Sequence, residues 1–148
     1  MDEQDVIAWI SALPGIEIVE DQGDHYVFAD PTQPAHNRLP FATIMTTDRY
    51  DQFSGLDRPG VYRLNIGVRP ATYRARFGPE PFPQDPVEAG YDFAALDAVM
   101  PHPVYGSMFW LCVLNPSAET FAEVKPLIEE AREVALSRAR RSESREAP

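Results

Sequence analysis

Arg63 and Asn65 stand two residues apart in the run Gly60-Val-Tyr-Arg-Leu-Asn-Ile-Gly-Val68, where they alternate with Tyr62, Leu64, Ile66 and Val68. A strand sends successive side chains to opposite faces, so the apolar set predicts a core side and Arg63, Asn65 and Gly67 an open side. A guanidinium fork beside a carboxamide can grip a carboxylate or phosphate in fixed geometry. His102 lies between Pro101 and Pro103, which hold it extended, and an imidazole fixed in this way can serve as base, ligand contact or pH-sensitive switch. Tyr105 and Trp110 follow, and their phenol and indole tips want polar partners, which suits a pocket rim.

Two chemistries follow from these residues. In the first, Arg63, Asn65, His102, Tyr105 and Trp110 form a non-catalytic site on the open sheet face for a small anionic molecule or a protein partner. In the second, His102 is a general base oriented by Asp97, five positions upstream, while Arg63 stabilises negative charge. The first is preferred, because the second requires three segments to converge. For His102 itself, the commoner role of such a residue is to anchor a loop.

Other chemistries lack their residue patterns. His25, His36 and His102 fall in separate segments with no CxxC or HxxxH spacing, so no metal site is expected. Ser107 lacks the second glycine of a nucleophile elbow, and Cys112 sits in an apolar stretch where a thiol is inert. The isolated glycines at 55, 60, 67 and 78 do not make a phosphate cradle, and no cofactor is expected.

The elements that must position these residues can be traced along the chain. Val6, Trp9, Ile10 and Leu13 form a helical stripe behind an acidic start, predicting a first helix that ends at Leu13 before Pro14-Gly15. Residues 16–19 and 25–29 read as a hairpin, 30–40 as a proline-containing loop, 41–46 as a third strand and 48–59 as a turn-rich connection. A strand then runs from Val61 to Val68. Arg69-Pro70 opens a short helix that Gly78 stops, residues 79–86 are an extended loop, and 91–96 a helical turn. Residues 108–114 are apolar on both alternating faces, which predicts the most buried strand at the sheet centre. Phe121, Val124, Ile128, Ala131 and Ala135 mark a closing helix that Pro126 should kink or divide.

Composition bounds the class. With 148 residues, 44% of them hydrophobic, the chain is expected to form one domain over residues 1–136, with a frayed charged tail at 137–148. A single cysteine, an acidic N-terminus and short apolar runs predict a cytoplasmic protein without membrane spans. The net charge of −10 disfavours nucleic acid. That charge is uneven: residues 1–30 carry −8, 31–78 carry +4, 79–130 carry −8 and 131–148 carry +2. The positive block, with arginines at 38, 49, 58, 63, 69, 74 and 76, is the stretch that would draw an anion, although the commoner role of such arginines, and the preferred reading, is to solvate the surface. The stripe of the closing helix allows a monomer or a weak homodimer.

The order of a helix, a meander containing Arg63-Leu-Asn-Ile-Gly-Val68, a short helix, a His102-containing segment, the strand Phe109-Trp110-Leu-Cys-Val-Leu114 and a closing helix resembles the MmcQ/YjbR-like superfamily. Within it, the chain is similar to a bacterial family of unknown function with RLNIGV and PHPVY segments. The resemblance implies an α+β fold with a single antiparallel sheet packed against N-terminal and C-terminal helices. It implies no activity.

Overall fold

Asp2 and Asp5 close the start of the first helix reciprocally. The Asp2 carboxylate accepts the Asp5 N–H at 2.9 Å, and the Asp5 carboxylate accepts the Asp2 N–H at 2.9 Å. This capping box satisfies backbone donors that the first turn would leave open. The computed structural model describes residues 1–32 and 38–146, and in it helix α1 spans Glu3–Ser11 with Val6 and Ile10 buried. The helix stops two residues before the expected Leu13, because the Leu13 N–H turns back to the Ile10 carbonyl and tightens the last turn.

Six antiparallel strands form one sheet: β1 (Ile16–Asp21), β2 (Asp24–Ala29), β3 (Ala42–Met45), β4 (Arg63–Gly67), β5 (Met100–Pro101) and β6 (Trp110–Leu114), in the spatial order β1-β2-β3-β4-β6-β5. Gln22 and Gly23 both take positive φ, 52° and 95°, as the tight turn between β1 and β2 requires. Helix α2 covers Pro70–Phe77, with proline in its first turn and Gly78 at φ 95° after its end. Helix α3 covers Ala118–Glu146. The fold is therefore α+β, a single antiparallel sheet with helices at both ends of the chain.

Register explains the two faces. Leu64 pairs with Val113 and Ile66 with Leu111, and these four join Ile44, Val6, Ile10, Phe121, Val124 and Ile128 in the main core under α1 and α3. Asn65 pairs with Cys112 on the other face, where Cys112 meets Phe93 and Met100 in a second cluster. The alternation expected of residues 62–68 is observed, but the face carrying Arg63 and Asn65 is not open. The loop between β3 and β4 and the segment leading into β6 lie over it, so Arg63 is 2% and Asn65 1% exposed.

Three other expectations change. β6 lies second from the edge, not at the sheet centre, because burial of both strand faces needs a cover on each side and not a central position. Its outer neighbour β5 is a two-residue strand that proline limits. Residues 91–96 form a turn closed by the Ala95 N–H on the Asp92 carbonyl. Finally, α3 runs through Pro126 as one helix without being divided there. Val124 and Ile128, both fully buried, hold the two sides of Pro126 on the sheet, and once a helix is established each further residue adds a hydrogen bond. Among the described residues no helix is long and apolar enough to cross a membrane.

Candidate functional site

Arg63 anchors a buried polar network on the sheet face away from α1 and α3. Its Nη1 and Nη2 donate to the two oxygens of Asp51 at 3.0 and 2.8 Å, a parallel two-bond pairing in which both side chains are almost fully buried. Nη1 also donates to Ser54 Oγ at 2.8 Å, and Nε to Asn65 Oδ1 at 2.9 Å. Asn65 Nδ2 donates in turn to Thr43 Oγ1 at 2.9 Å, which ties β4 to β3 from the same side. A buried charge is tolerable when it is paired and most of its donors are satisfied, and here Asp51 pairs the charge while four of the five Arg63 N–H groups have acceptors. Burial works to raise the Asp51 pKa, but the hydrogen bonds and charge of Arg63 outweigh it and hold the carboxyl below its ordinary range.

His102 closes the network from β5. Its Nδ1 accepts the N–H groups of Val104 and Tyr105, each at 3.0 Å, while its own N–H bonds the Trp110 carbonyl at 3.0 Å and its carbonyl accepts from Gly106. Two amide donors on Nδ1 assign the neutral ring's proton to Nε2. Nε2 stands 3.4 Å from Arg63 Nη2, so the contact is between two donors. Burial first, and then the neighbouring Arg63 charge, push the His102 pKa down to about 3. An imidazole that is 3% exposed and this weakly basic orders the 102–106 turn; it is a poor proton acceptor for a substrate.

The structure thus joins the side chains of Arg63, Asn65 and His102, brings Tyr105 against His102, and leaves the Trp110 and Asp97 side chains outside the network. Tyr105 touches His102, with ring centroids 5.0 Å apart, but is itself half exposed. The Trp110 side chain lies flat on Gly67, where a β-carbon would come within 2.8 Å of the indole. Asp97 does not orient His102: its Oδ1 accepts the Ser117 N–H at 2.7 Å at the start of α3, and that bond holds its pKa low. His36 lies outside the described residues. Asp51, Ser54 and Thr43 escaped sequence reasoning; the available signal for Asp51 was its position as one of only three acids in the basic block 31–78.

Most arginines of that block are committed to internal partners. Arg49 pairs with Asp24, Arg69 with Glu130 and Arg76 with Glu123, while Arg58 donates to the Ser54, Gly55 and Ala94 carbonyls. Arg38 differs. Its Nη2 bonds Glu17 at 3.1 Å and its guanidinium lies over the Phe28 ring, yet Nε and Nη1 are buried without a hydrogen-bond partner among the described residues. The same side chain lines a cavity of about 100 Å³ whose other walls include Phe41, Gly67, Trp110, Ala131, Ala135 and Arg138.

Over residues 1–144, from α1 almost to the end of α3, the chain matches the family described as "Family of unknown function (DUF6194)". The chain belongs to this family. No curated protein and no solved structure matches it. Within this member the two arrangements differ in kind: Arg63 is paired with Asp51 and has acceptors for four of its five N–H groups, whereas the Arg38 cavity is lined by a cation with two buried nitrogens that lack partners among the described residues.

Proposed function

We propose that this protein is a non-catalytic binding module for a small anionic molecule, and that the anion meets Arg38 rather than Arg63. The observation that carries this reading is that Arg38, which lines a cavity, keeps two buried nitrogens without a hydrogen-bond partner among the described residues. Leaving a buried donor unsatisfied costs about 1–3 kcal/mol, and because these nitrogens have almost no accessible surface the guanidinium would turn toward the cavity to meet an acceptor oxygen there. The Arg63 network serves as the strut that fixes β4 and the 102–106 turn. An enzyme built on His102 and Asp97 finds no support, since one is an acceptor for its own turn and the other accepts the Ser117 N–H just before α3.

The order of elements supports reading the fold as related to the MmcQ/YjbR-like superfamily, and the lone buried thiol supports a cytoplasmic setting. Thermal denaturation in the presence of a panel of carboxylates, phosphate and sulfate tests the function. Wild type should gain about 2.7 kcal/mol with an anion at a hundredfold excess over its Kd, and Arg38→Met should lose that gain. Stabilisation that survives Arg38→Met but disappears in Arg63→Met would return the site to the sheet face.

A further inference from the structure

We infer that the cavity beside Arg38 takes the carboxylate of a small monoanionic acid with an apolar body. This deepens the binding reading and rests on it. Charge argues for a monoanion. Arg38 and Glu17 stand 3.1 Å apart and compensate each other, while Arg138 on the same cavity adds one positive charge. One carboxylate neutralises that excess. A phosphate dianion would leave a second negative charge unpaired in a chain that already carries −10.

Shape argues for the apolar body. Gly67 has no side chain, so the Trp110 indole lies directly on the strand and forms a flat wall, and a β-carbon at Gly67 would meet that indole at 2.8 Å. Small and apolar side chains of α3, Ala131 and Ala135 among them, line the cavity as well. A volume of about 100 Å³ is somewhat below the ~150 Å³ of an apolar cavity that takes up benzene, which suits a short alkyl chain or part of an aromatic ring. The arginines supply the polar contact, and the indole face suits a short alkyl chain or an aromatic ring edge.

The test is calorimetric titration of propionate, butyrate, benzoate, butyramide and inorganic phosphate into wild type, Arg38→Met and Gly67→Ala. Folding of each variant is checked by circular dichroism. In a Trp9→Phe background, Trp110 is the only remaining tryptophan and reports occupancy by its emission. Butyrate or benzoate should bind and shift that emission, butyramide and phosphate should bind far more weakly, and Arg38→Met should weaken the carboxylate roughly tenfold or more. Phosphate binding as tightly as butyrate at the same arginine would overturn the carboxylate assignment and leave the binding reading intact. Absence of binding by any anion would overturn both. If Gly67→Ala does not fold, the Arg38→Met and emission measurements decide alone, since an unchanged Trp110 signal under saturating butyrate rejects the site.

Discussion

Arg63 and Asp51 face each other through two parallel hydrogen bonds of 3.0 and 2.8 Å, inside the protein and twelve residues apart in the chain. This pairing joins the loop between β3 and β4 to the sheet and turns a face that alternation marks as polar into an interior one. Removing one partner leaves the other charge buried and alone. Asp51→Leu and Arg63→Met should each cost about 3–5 kcal/mol, whereas the double variant Arg63→Met/Asp51→Leu should cost markedly less than their sum. Urea unfolding of the four proteins measures the cycle, and additive losses would show that the two groups do not act as a pair.

His102 makes stability depend on pH in a calculable direction. Its ordinary value of 6.5 applies to the unfolded chain and about 3 to the folded one. Between those values the unfolded chain binds a proton that the folded protein refuses, so stability is fully present above pH 6.5 and falls as pH drops toward 3. Asp51 acts in the same sense at lower pH: its folded pKa is lowered from 3.8, so its contribution is present above that value and is lost as pH falls through the lowered one. The melting temperature of wild type should therefore decline from pH 6.5 downward more steeply than that of His102→Gln. Parallel curves for the two proteins would exclude the histidine as the source.

Cys112 should behave as an interior group. It is fully buried, and burial pushes its thiol up to about 12, so the thiolate that reacts with disulfide reagents is scarce as well as inaccessible. Labelling by an aromatic disulfide should proceed only through opening of the sheet, with a rate that rises with urea as global unfolding does. Labelling at a urea-independent rate would mean that β5 detaches locally from β6.

Much of this architecture was legible from residue spacing, and the limits are physical. Alternation in residues 62–68 identified β4 and its two faces correctly, because a period of two depends only on local backbone geometry. Whether the polar face met water depended on a loop whose placement is fixed by Asp51, Ser54 and Arg63 acting across distance, and strand periodicity carries no record of such contacts. Doubly apolar sequence likewise revealed that β6 has cover on both sides but not where it stands in the sheet. Of the site, the sequence singled out Trp110 and placed Arg38 within a basic block. It could not show that Arg38 keeps two buried nitrogens without a partner among the described residues, since that is a count of partners in three dimensions.

Gly23 sets the register of the first hairpin by a conformation that only glycine takes without strain. At φ 95° a side chain is disfavoured, and a β-carbon there would stand 2.9 Å from Thr46 Oγ1, the hydroxyl that donates to the Gly23 carbonyl. Gly23→Ala should cost at least about 1 kcal/mol, and Gly23→Asn less, since asparagine is the residue next best suited to positive φ. Equal stability of the alanine and asparagine variants in urea would show that the steric contact with Thr46, and not the backbone angle, governs the turn.

Arg38 offers the sharpest contrast with Arg63, because the two should respond to the same substitution with opposite sign. Replacing Arg38 by methionine removes the Glu17 ion pair, which is partly exposed on the glutamate side and therefore worth little, and the contact with Phe28, worth about 0.5–1 kcal/mol. It also removes two buried donors that lack partners among the described residues, each of which costs about 1–3 kcal/mol to keep dry. The methionine stem preserves most of the apolar packing over Phe28. The balance favours the variant: ligand-free Arg38→Met should be at least as stable as wild type, and more stable by up to a few kcal/mol. A binding residue that lowers stability until its ligand arrives is the pattern expected where function and folding compete. Urea unfolding without added anions decides the sign, and a loss comparable to that of Arg63→Met would show that the Arg38 nitrogens are satisfied in the folded protein and that the cavity has no call on them.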